Sequence, residues 1–124
     1  MKIAIFENQW SNLKATFEAL NIIHFNKSAV YDLFETSQSF GDINNIVNYN
    51  FVLVDLDLSP KSDMDGYDIL KKLIENNTPM NKIFILTGHV NVNDKLKEKN
   101  LPSFNIIKKP ITLESLESSF GLTK

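Results

Sequence analysis

The stretch that decides the fold is 51-FVLVDLDLSP-60, in which a dense apolar run is followed at once by Asp55. An unbroken run of branched and aromatic residues is typical of a central strand in a parallel sheet, covered on both faces. Asp55 therefore stands at the carboxyl end of a buried strand. Because ligands bind beyond these strand ends in open parallel sheets, the segment also predicts where a site lies.

Outward from this strand, apolar runs and helical patterns alternate along the chain. Four further runs predict strands: Lys2–Phe6, Ala29–Glu35 (the most mixed pattern), Ile83–Leu86 and Phe104–Ile107. The apolar residues between these strands fall into five groups at helical spacing. The first group is Trp10, Leu13, Phe17 and Leu20, with a start near Ser11 or Asn12, and the second is Ile43, Ile46 and Val47, after a break at Gly41-Asp42. The third is Tyr67, Leu70, Leu73 and Ile74, the fourth lies around Leu96, and the fifth is Leu113, Leu116 and Phe120, after Thr112. Since βαβ crossovers are right-handed, the alternation predicts an α/β fold of three layers, (βα)5, around a five-stranded parallel sheet.

Length and composition narrow the classes of protein. The 124 residues predict a single domain, 1–124, with no output domain after it. A net charge of -2 without a basic stripe argues against direct binding to nucleic acid. The chain has no cysteine, which excludes thiol redox chemistry and thiolate metal sites. Neither a membrane span nor a secretory signal is recognisable, so we expect a cytoplasmic protein.

The residues that directly follow the predicted strands carry the chemistry. They comprise two carboxylates, an amide, a hydroxyl, a glycine and a lysine: Glu7, Asn8, Asp55, Thr87, Gly88 and Lys109. A carboxylate can attack phosphorus, a lysine can reach a phosphate oxygen, and a hydroxyl can donate to another oxygen. Gly88 would leave room for the group to approach. The set suits phosphoryl transfer, which depends mainly on positioning and on neutralising charge.

In this order on a (βα)5 chain, these residues resemble the receiver domain of bacterial response regulators, over essentially the whole length. The resemblance implies a flavodoxin-like sheet of order 2-1-3-4-5 and a cis bond before Pro110. It implies that Asp55 is the phosphoacceptor, that Thr87, Gly88 and Lys109 bind the phosphoryl group and carry the switch, and that Asp65-Gly66 closes the following loop. The implied cofactor is Mg²⁺, held by Glu7, Asn8, Asp55 and the backbone carbonyl of Asp57.

The resemblance also implies partners. The phosphoryl donor would be a histidine kinase or a histidine phosphotransfer protein, and the readout would be contact with a downstream protein that the sequence does not identify. A homodimer is left open. The domain would accept a phosphoryl group rather than act as an enzyme.

Four departures limit what the resemblance implies. Asn8 stands where the pattern has a second acid, which would weaken magnesium binding. Ile106 replaces an aromatic residue that often reports activation. The loop from Asp55 to Gly66 is longer than usual around Ser59–Asp63, and its acids would either influence the metal or be solvated. The helix around Leu96 has little apolar surface, and we expect it to be mobile.

Several alternatives stay open at this stage. A degenerate receiver would bind partners without being phosphorylated, a reading favoured by Asn8 and Ile106. A flavodoxin-like cofactor binder would need a phosphate-cradling loop after the first strand, where the chain has an acid instead. A metal-dependent hydrolase lacks a clear general base. Asp57 is the rival nucleophile.

Other conspicuous residues have ordinary interpretations. His24 and His89 are interpreted as ordinary polar residues, and Lys108 as a solvent-facing residue. Trp10 and the phenylalanines are interpreted as core: Phe17, Phe34, Phe51 and Phe84.

Overall fold

Five parallel strands form one sheet in the computed structural model, which describes residues 1–58 and 60–122. The strands are β1 (Lys2–Phe6), β2 (Val30–Phe34), β3 (Phe51–Asp55), β4 (Ile83–Thr87) and β5 (Asn105–Lys108). Their order is β2-β1-β3-β4-β5, as expected. All four pairings are parallel. The order reverses between β1 and β3, so the switch point of the sheet lies where β1 and β3 end side by side.

Four α-helices cover the sheet: α1 (Lys14–Phe25), α2 (Gly66–Glu75), α3 (Val92–Glu98) and α4 (Leu113–Ser119). The two helix starts that flank the candidate site have strong caps. Asp65 caps α2 and Thr112 caps α4, each in a reciprocal capping box that satisfies free backbone N–H groups. These caps fix where the chain leaves the loops after β3 and β5.

Alternate side chains of the strands build two cores, one on each face of the sheet. Val52, Val54 and Ile85 belong to the core beneath α2 and α3, whereas Leu53 and Leu86 belong to the core beneath α1 and α4. Because successive side chains of a strand point to opposite faces, strands buried on both sides need apolar residues at every position. The dense run of β3 is therefore a consequence of its central place.

The prediction of a helix over Ile43, Ile46 and Val47 is wrong. The second crossover contains only a 3-10 segment, Ile43–Asn48, and Val47 is 74% exposed instead of sharing the buried face with Ile46. The segment contains Asn44, Asn45 and Asn48, and asparagine side chains compete with the helical hydrogen bonds of the backbone. A single buried side chain cannot outweigh that preference.

The other elements match the sequence patterns within one to three residues. The mixed run predicted as Ala29–Glu35 is confirmed as β2. A 3-10 turn, Trp10–Asn12, precedes α1, so the helix starts slightly later than expected. Trp10 is half-buried against Phe17, with ring centroids 5.1 Å apart. The four phenylalanines interpreted as core all lie in or against the two core clusters. Within the described residues, no helix is long and apolar enough to cross a membrane.

Candidate functional site

The sheet register brings the strand ends of β1 and β3 together. Phe6 pairs with Val54, which places the next residues, Glu7 and Asp55, beside each other. Both are buried, Glu7 at 0% and Asp55 at 3% exposure. Across β3, Asp55 pairs with Leu86 of β4, so Thr87 follows at the same edge. Two acids that are 48 positions apart in the sequence therefore lie side by side at one edge of the sheet.

Lys109 connects the two carboxylates. Its Nζ lies 3.1 Å from Oδ2 of Asp55 and 2.9 Å from Oε2 of Glu7. The backbone N–H of Lys109 donates to the carbonyl of Thr87 at 2.8 Å, and the Lys109-Pro110 peptide is cis, as the resemblance implies. The end of β5 is thereby anchored to β4, and the lysine side chain extends toward β3. One ammonium faces two buried acids.

The surroundings change the proton affinities of both Asp55 and Lys109. Burial raises the pKa of Asp55 to about 6, and the neighbouring Glu7 adds to the rise, against the opposing effects of the Asp57 N–H and of Lys109. That N–H donates to Oδ1 of Asp55 at 3.0 Å. Burial acts to lower the pKa of Lys109, but its contacts with Glu7 and Asp55 outweigh this, so the pKa is raised. Lys109 therefore stays charged while Asp55 titrates near neutral pH.

Thr87 and Gly88 lie at the end of β4, next to the end of β3 that carries Asp55. Thr87 is buried, and its Oγ1 accepts a hydrogen bond of 3.0 Å from the N–H of His89. Gly88 is exposed, and a Cβ built there would meet only Cβ of Lys109, at 4.0 Å. The structure thus places both residues next to Lys109. The hydroxyl of Thr87 is held by its own loop.

His89 is exposed, in agreement with its interpretation as an ordinary polar residue, but its contact with Asp57 was not predicted. Its Nε2 lies 2.7 Å from Oδ2 of Asp57, so the loop after β4 meets the loop after β3. Both side chains are at least half exposed, which makes the pair a weak contributor to stability. The only indication of this contact in the sequence was the position of His89, two residues after Thr87. Lys108, in contrast, is exposed as interpreted.

Gly66 lets α2 approach the backbone of Asp55. A Cβ at this position would lie 2.6 Å from Cα of Leu56 and would collide with the carbonyl oxygen of Asp55. Only glycine avoids that overlap, because real Cβ contacts are longer. Two adjacent residues thus have separate roles. Asp65 caps α2, and Gly66 allows α2 to pack against the backbone of Asp55, the candidate phosphoacceptor.

The long loop between Asp55 and Gly66 is attached to the loop after β2. Ser62 accepts from the N–H of Ser37 at 2.8 Å, the N–H of Met64 donates to Oγ of Ser37 at 3.0 Å, and the N–H of Asp63 donates to Gln38 at 2.9 Å. The side chains of Asp63 and Asp65 are exposed, and the sequence did not predict the contacts with the loop after β2. Ser59, part of the predicted insertion, lies outside the described residues.

The donor set suits a hard cation such as Mg²⁺. Oε2 of Glu7 is buried and forms an ion pair with the ammonium of Lys109 at 2.9 Å. A buried carboxylate oxygen beside a second carboxylate offers the oxygen ligands that Mg²⁺ prefers. Asn8, which directly follows Glu7, is half-buried. Among the described residues, no group of three or more acidic, histidine or cysteine side chains gathers into a metal cluster.

These observations define a class: a three-layer α/β domain with a buried acid pair and a lysine at the switch point. Comparison with solved structures shows which fold within this class the chain has. The chain is similar to a response regulator receiver domain protein (CheY-like) from Methanospirillum hungatei, at TM-score 0.69 and 21% identity over 97% of this chain and 90% of that one. It is also similar to the response regulator receiver domain from Rhodospirillum rubrum, at TM-score 0.65 and 23% identity over 98% and 92%.

A two-component response regulator from Clostridium difficile matches at TM-score 0.64 and 22% identity, over 97% of this chain and 92% of the other. No protein-family model and no curated protein matches the sequence. The chain has the receiver-domain fold, with the flavodoxin-like strand order.

Proposed function

We propose that the chain accepts a phosphoryl group on Asp55 from a phosphohistidine donor and signals through a protein–protein surface. The observation that carries the proposal is the contact of Lys109 with the buried carboxylates of Asp55 and Glu7. The ammonium of a lysine in this place can move its ion-pair contact from Asp55 to an oxygen of the arriving phosphoryl group. The donor would be a histidine kinase or histidine phosphotransfer protein, and the proposed location is the cytoplasm.

The proposed step is a displacement at phosphorus. One carboxylate oxygen of Asp55 forms the new bond while the phosphorus–nitrogen bond of the donor breaks. The bonding electron pair leaves with the imidazole, which takes up a proton from solvent. Asp55 must be ionised to attack, and the pKa of about 6 leaves most of it ionised at pH 7. The N–H of Asp57 holds Oδ1, and Oδ2 faces Lys109.

Four groups would hold Mg²⁺ in this proposal: Glu7, Asn8, Asp55 and the backbone carbonyl of Asp57. The bound ion would supply positive charge against the repulsion between a carboxylate and a phosphoryl group. Thr87, Gly88 and Lys109 would bind the group as it enters, and the contact of Lys109 with Asp55 supports its share in this role. The buried carboxylate oxygen of Glu7 supports this assignment.

A mass measurement tests the proposal. The protein is incubated with acetyl phosphate or phosphoramidate and magnesium, and its intact mass is followed. We expect a gain of one phosphoryl group that Asp55→Asn abolishes and that Asp57→Asn, the matched control at the rival acid, retains. A gain that survives Asp55→Asn and is lost in Asp57→Asn would move the phosphoacceptor to Asp57.

A degenerate receiver is the second candidate, favoured by Asn8 and Ile106, and among the described residues no three acidic, histidine or cysteine side chains are grouped to hold a metal. In that case the Glu7–Lys109–Asp55 contacts would serve stability alone, and the surface would bind a partner without phosphorylation. Beryllofluoride separates the two candidates because it mimics a bound phosphoryl group. If the folded protein with millimolar magnesium shows no change in Trp10 fluorescence or in its amide spectrum, the degenerate function is favoured.

A further inference from the structure

A cavity whose lining does not include Asp55 lies between the loop after β2, the loop before α2, and α2 itself. Its volume is about 230 Å³. The walls are mainly apolar and are formed by Phe6, Phe40, Ile43, Met64 and Ile69. One charged side chain, Lys72, completes the lining.

The cavity follows from the unusual second crossover. Where a full helix would cover this face, the chain has an extended loop and the short 3-10 segment Ile43–Asn48. Gly41, with φ +82°, turns the chain at the cavity wall and contributes no side chain. The loop is held in place by the hydrogen bonds between Ser37 and Met64 and between Ser37 and Ser62. The cavity is therefore built into the fold.

Aromatic rings form one rigid wall. The ring of Phe40 packs 5.4 Å from that of Phe6 and 4.8 Å from that of Phe34, with an edge-on orientation to Phe34. Phe6 is buried, and Ile69 opposite it belongs to the same core cluster. Such surfaces favour a flat or branched apolar group, since aromatic pairs prefer offset and edge-to-face contacts.

The charge at the cavity is not neutralised by its neighbours. Among the described residues, Lys72 has no ion pair or hydrogen bond from its ammonium group. Of the acids of α2, Asp68 accepts from the N–H of Asp65, and Glu75, three residues after Lys72, is exposed and forms no ion pair within the described part of the chain. The hydroxyl of Ser37 donates to Gln38 and accepts from the N–H of Met64. An anionic group at the mouth would meet one available cation.

We propose that this cavity binds a small carboxylic acid with a single apolar ring, with the ring between Phe6, Phe40 and Ile69 and the carboxylate at Lys72. An apolar cavity of about 150 Å³ is large enough for benzene, so the present volume accommodates a ring with a short acidic substituent. The site is separate from Asp55 and Lys109. It goes beyond the proposed phosphoryl transfer, because it would hold whether or not Asp55 is phosphorylated.

Benzoate is the probe, and benzyl alcohol of similar size is its neutral counterpart. Each is titrated into ¹⁵N-labelled protein while amide shifts are followed. We expect saturable shifts for both, centred on Phe40, Gly41 and Ile69. Lys72→Gln should weaken benzoate about three- to fivefold, as for a partly exposed ion pair, and leave benzyl alcohol unchanged. Lys71→Gln, an adjacent exposed lysine outside this cavity, should alter neither.

Three outcomes would overturn the proposal. The first is the absence of saturable shifts at the cavity residues with either probe. The second is benzoate binding centred on Gly88 and Lys109, which would assign the anion to the candidate phosphoryl site. The third is an equal loss of benzoate affinity in Lys71→Gln and Lys72→Gln, which would reduce the effect to net charge.

Discussion

The Nζ of Lys109 lies 3.1 Å from Oδ2 of Asp55, although the two residues are 54 positions apart in the sequence. The ammonium also lies 2.9 Å from Oε2 of Glu7. With both carboxylates buried and the lysine side chain 27% exposed, the lysine is the positive charge that makes the acid pair tolerable. The same lysine is thus a partner in a structural ion pair and the proposed phosphoryl-binding group, and its removal should affect both roles.

Replacement of Lys109 by alanine should destabilise the protein and uncouple phosphorylation from its response. Loss of one partner from a buried ion pair leaves uncompensated charge, at a cost of about 3 kcal/mol near neutral pH. Urea unfolding measures that cost, and Lys108→Ala, at the exposed neighbour, is the control. Phosphorylation on Asp55 should persist at a reduced level without the accompanying spectral change. An unchanged response in Lys109→Ala would remove this lysine from the mechanism.

Asp55→Asn should stabilise the metal-free protein more at pH 7 than at pH 4. The pKa of Asp55 is raised from 3.8 to about 6 in the folded state. The folded state therefore binds the proton more tightly than the unfolded state, and this contribution is full below pH 4 and lost as the pH rises toward 6. The loss is on the order of 3 kcal/mol for a shift of this size.

The measurement is the free energy of urea unfolding between pH 4 and 7, with a chelator present to remove divalent ions. The wild-type chain should lose stability across this interval relative to Asp55→Asn, in which position 55 does not titrate. Asp63→Asn, at an exposed acid in the neighbouring loop, is the control and should follow the wild-type profile. Parallel profiles for the wild type and Asp55→Asn would contradict the raised pKa.

Gly66→Ala should be far more damaging than Gly88→Ala, although both glycines border the site. At Gly66 the added carbon overlaps the backbone of Asp55 and Leu56, whereas at Gly88 its nearest contact is 4.0 Å away. Overpacking against backbone costs about 2 kcal/mol, and an unhindered surface change stays within about 0.5 kcal/mol. Thermal and urea unfolding of the two variants give the comparison. Equal stability of both variants would show that the approach of α2 to Asp55 can relax.

The sequence predicted the parts of the structure that depend on apolar periodicity and on strand ends. The run Phe51–Val54 indicated a central strand, and its neighbour Asp55 then had to lie at the carboxyl edge with Glu7, Thr87 and Lys109. Parallel topology brings these ends together whatever the connecting segments do. This is why the location of the site followed from the sequence even though the second crossover did not.

The misjudged parts are those fixed by polar contacts between distant loops. The contacts of Ser37 with Ser62 and Met64, and of His89 with Asp57, involve residues with no periodic pattern. The apolar spacing of Ile43 and Ile46 indicated a helix, but the surrounding asparagines favour local side-chain hydrogen bonds. Sequence periodicity reports burial on a regular element, and it carries no signal for such loops.

Asn8→Asp should strengthen magnesium binding and weaken the metal-free fold. The substitution adds a carboxylate at the residue that directly follows Glu7, where the amide supplies only a neutral oxygen. A further charged ligand should raise Mg²⁺ affinity on the order of tenfold, or about 1.4 kcal/mol. Without metal the same charge adds repulsion to an acid pair that one lysine already has to offset.

Calorimetric titration gives the Mg²⁺ affinity of Asn8→Asp and urea unfolding gives its stability. Asn105→Asp, an exposed residue at the start of β5, controls for net charge and should leave Mg²⁺ affinity unchanged. If Asn8→Asp binds Mg²⁺ no better than the wild type, residue 8 is not a metal ligand.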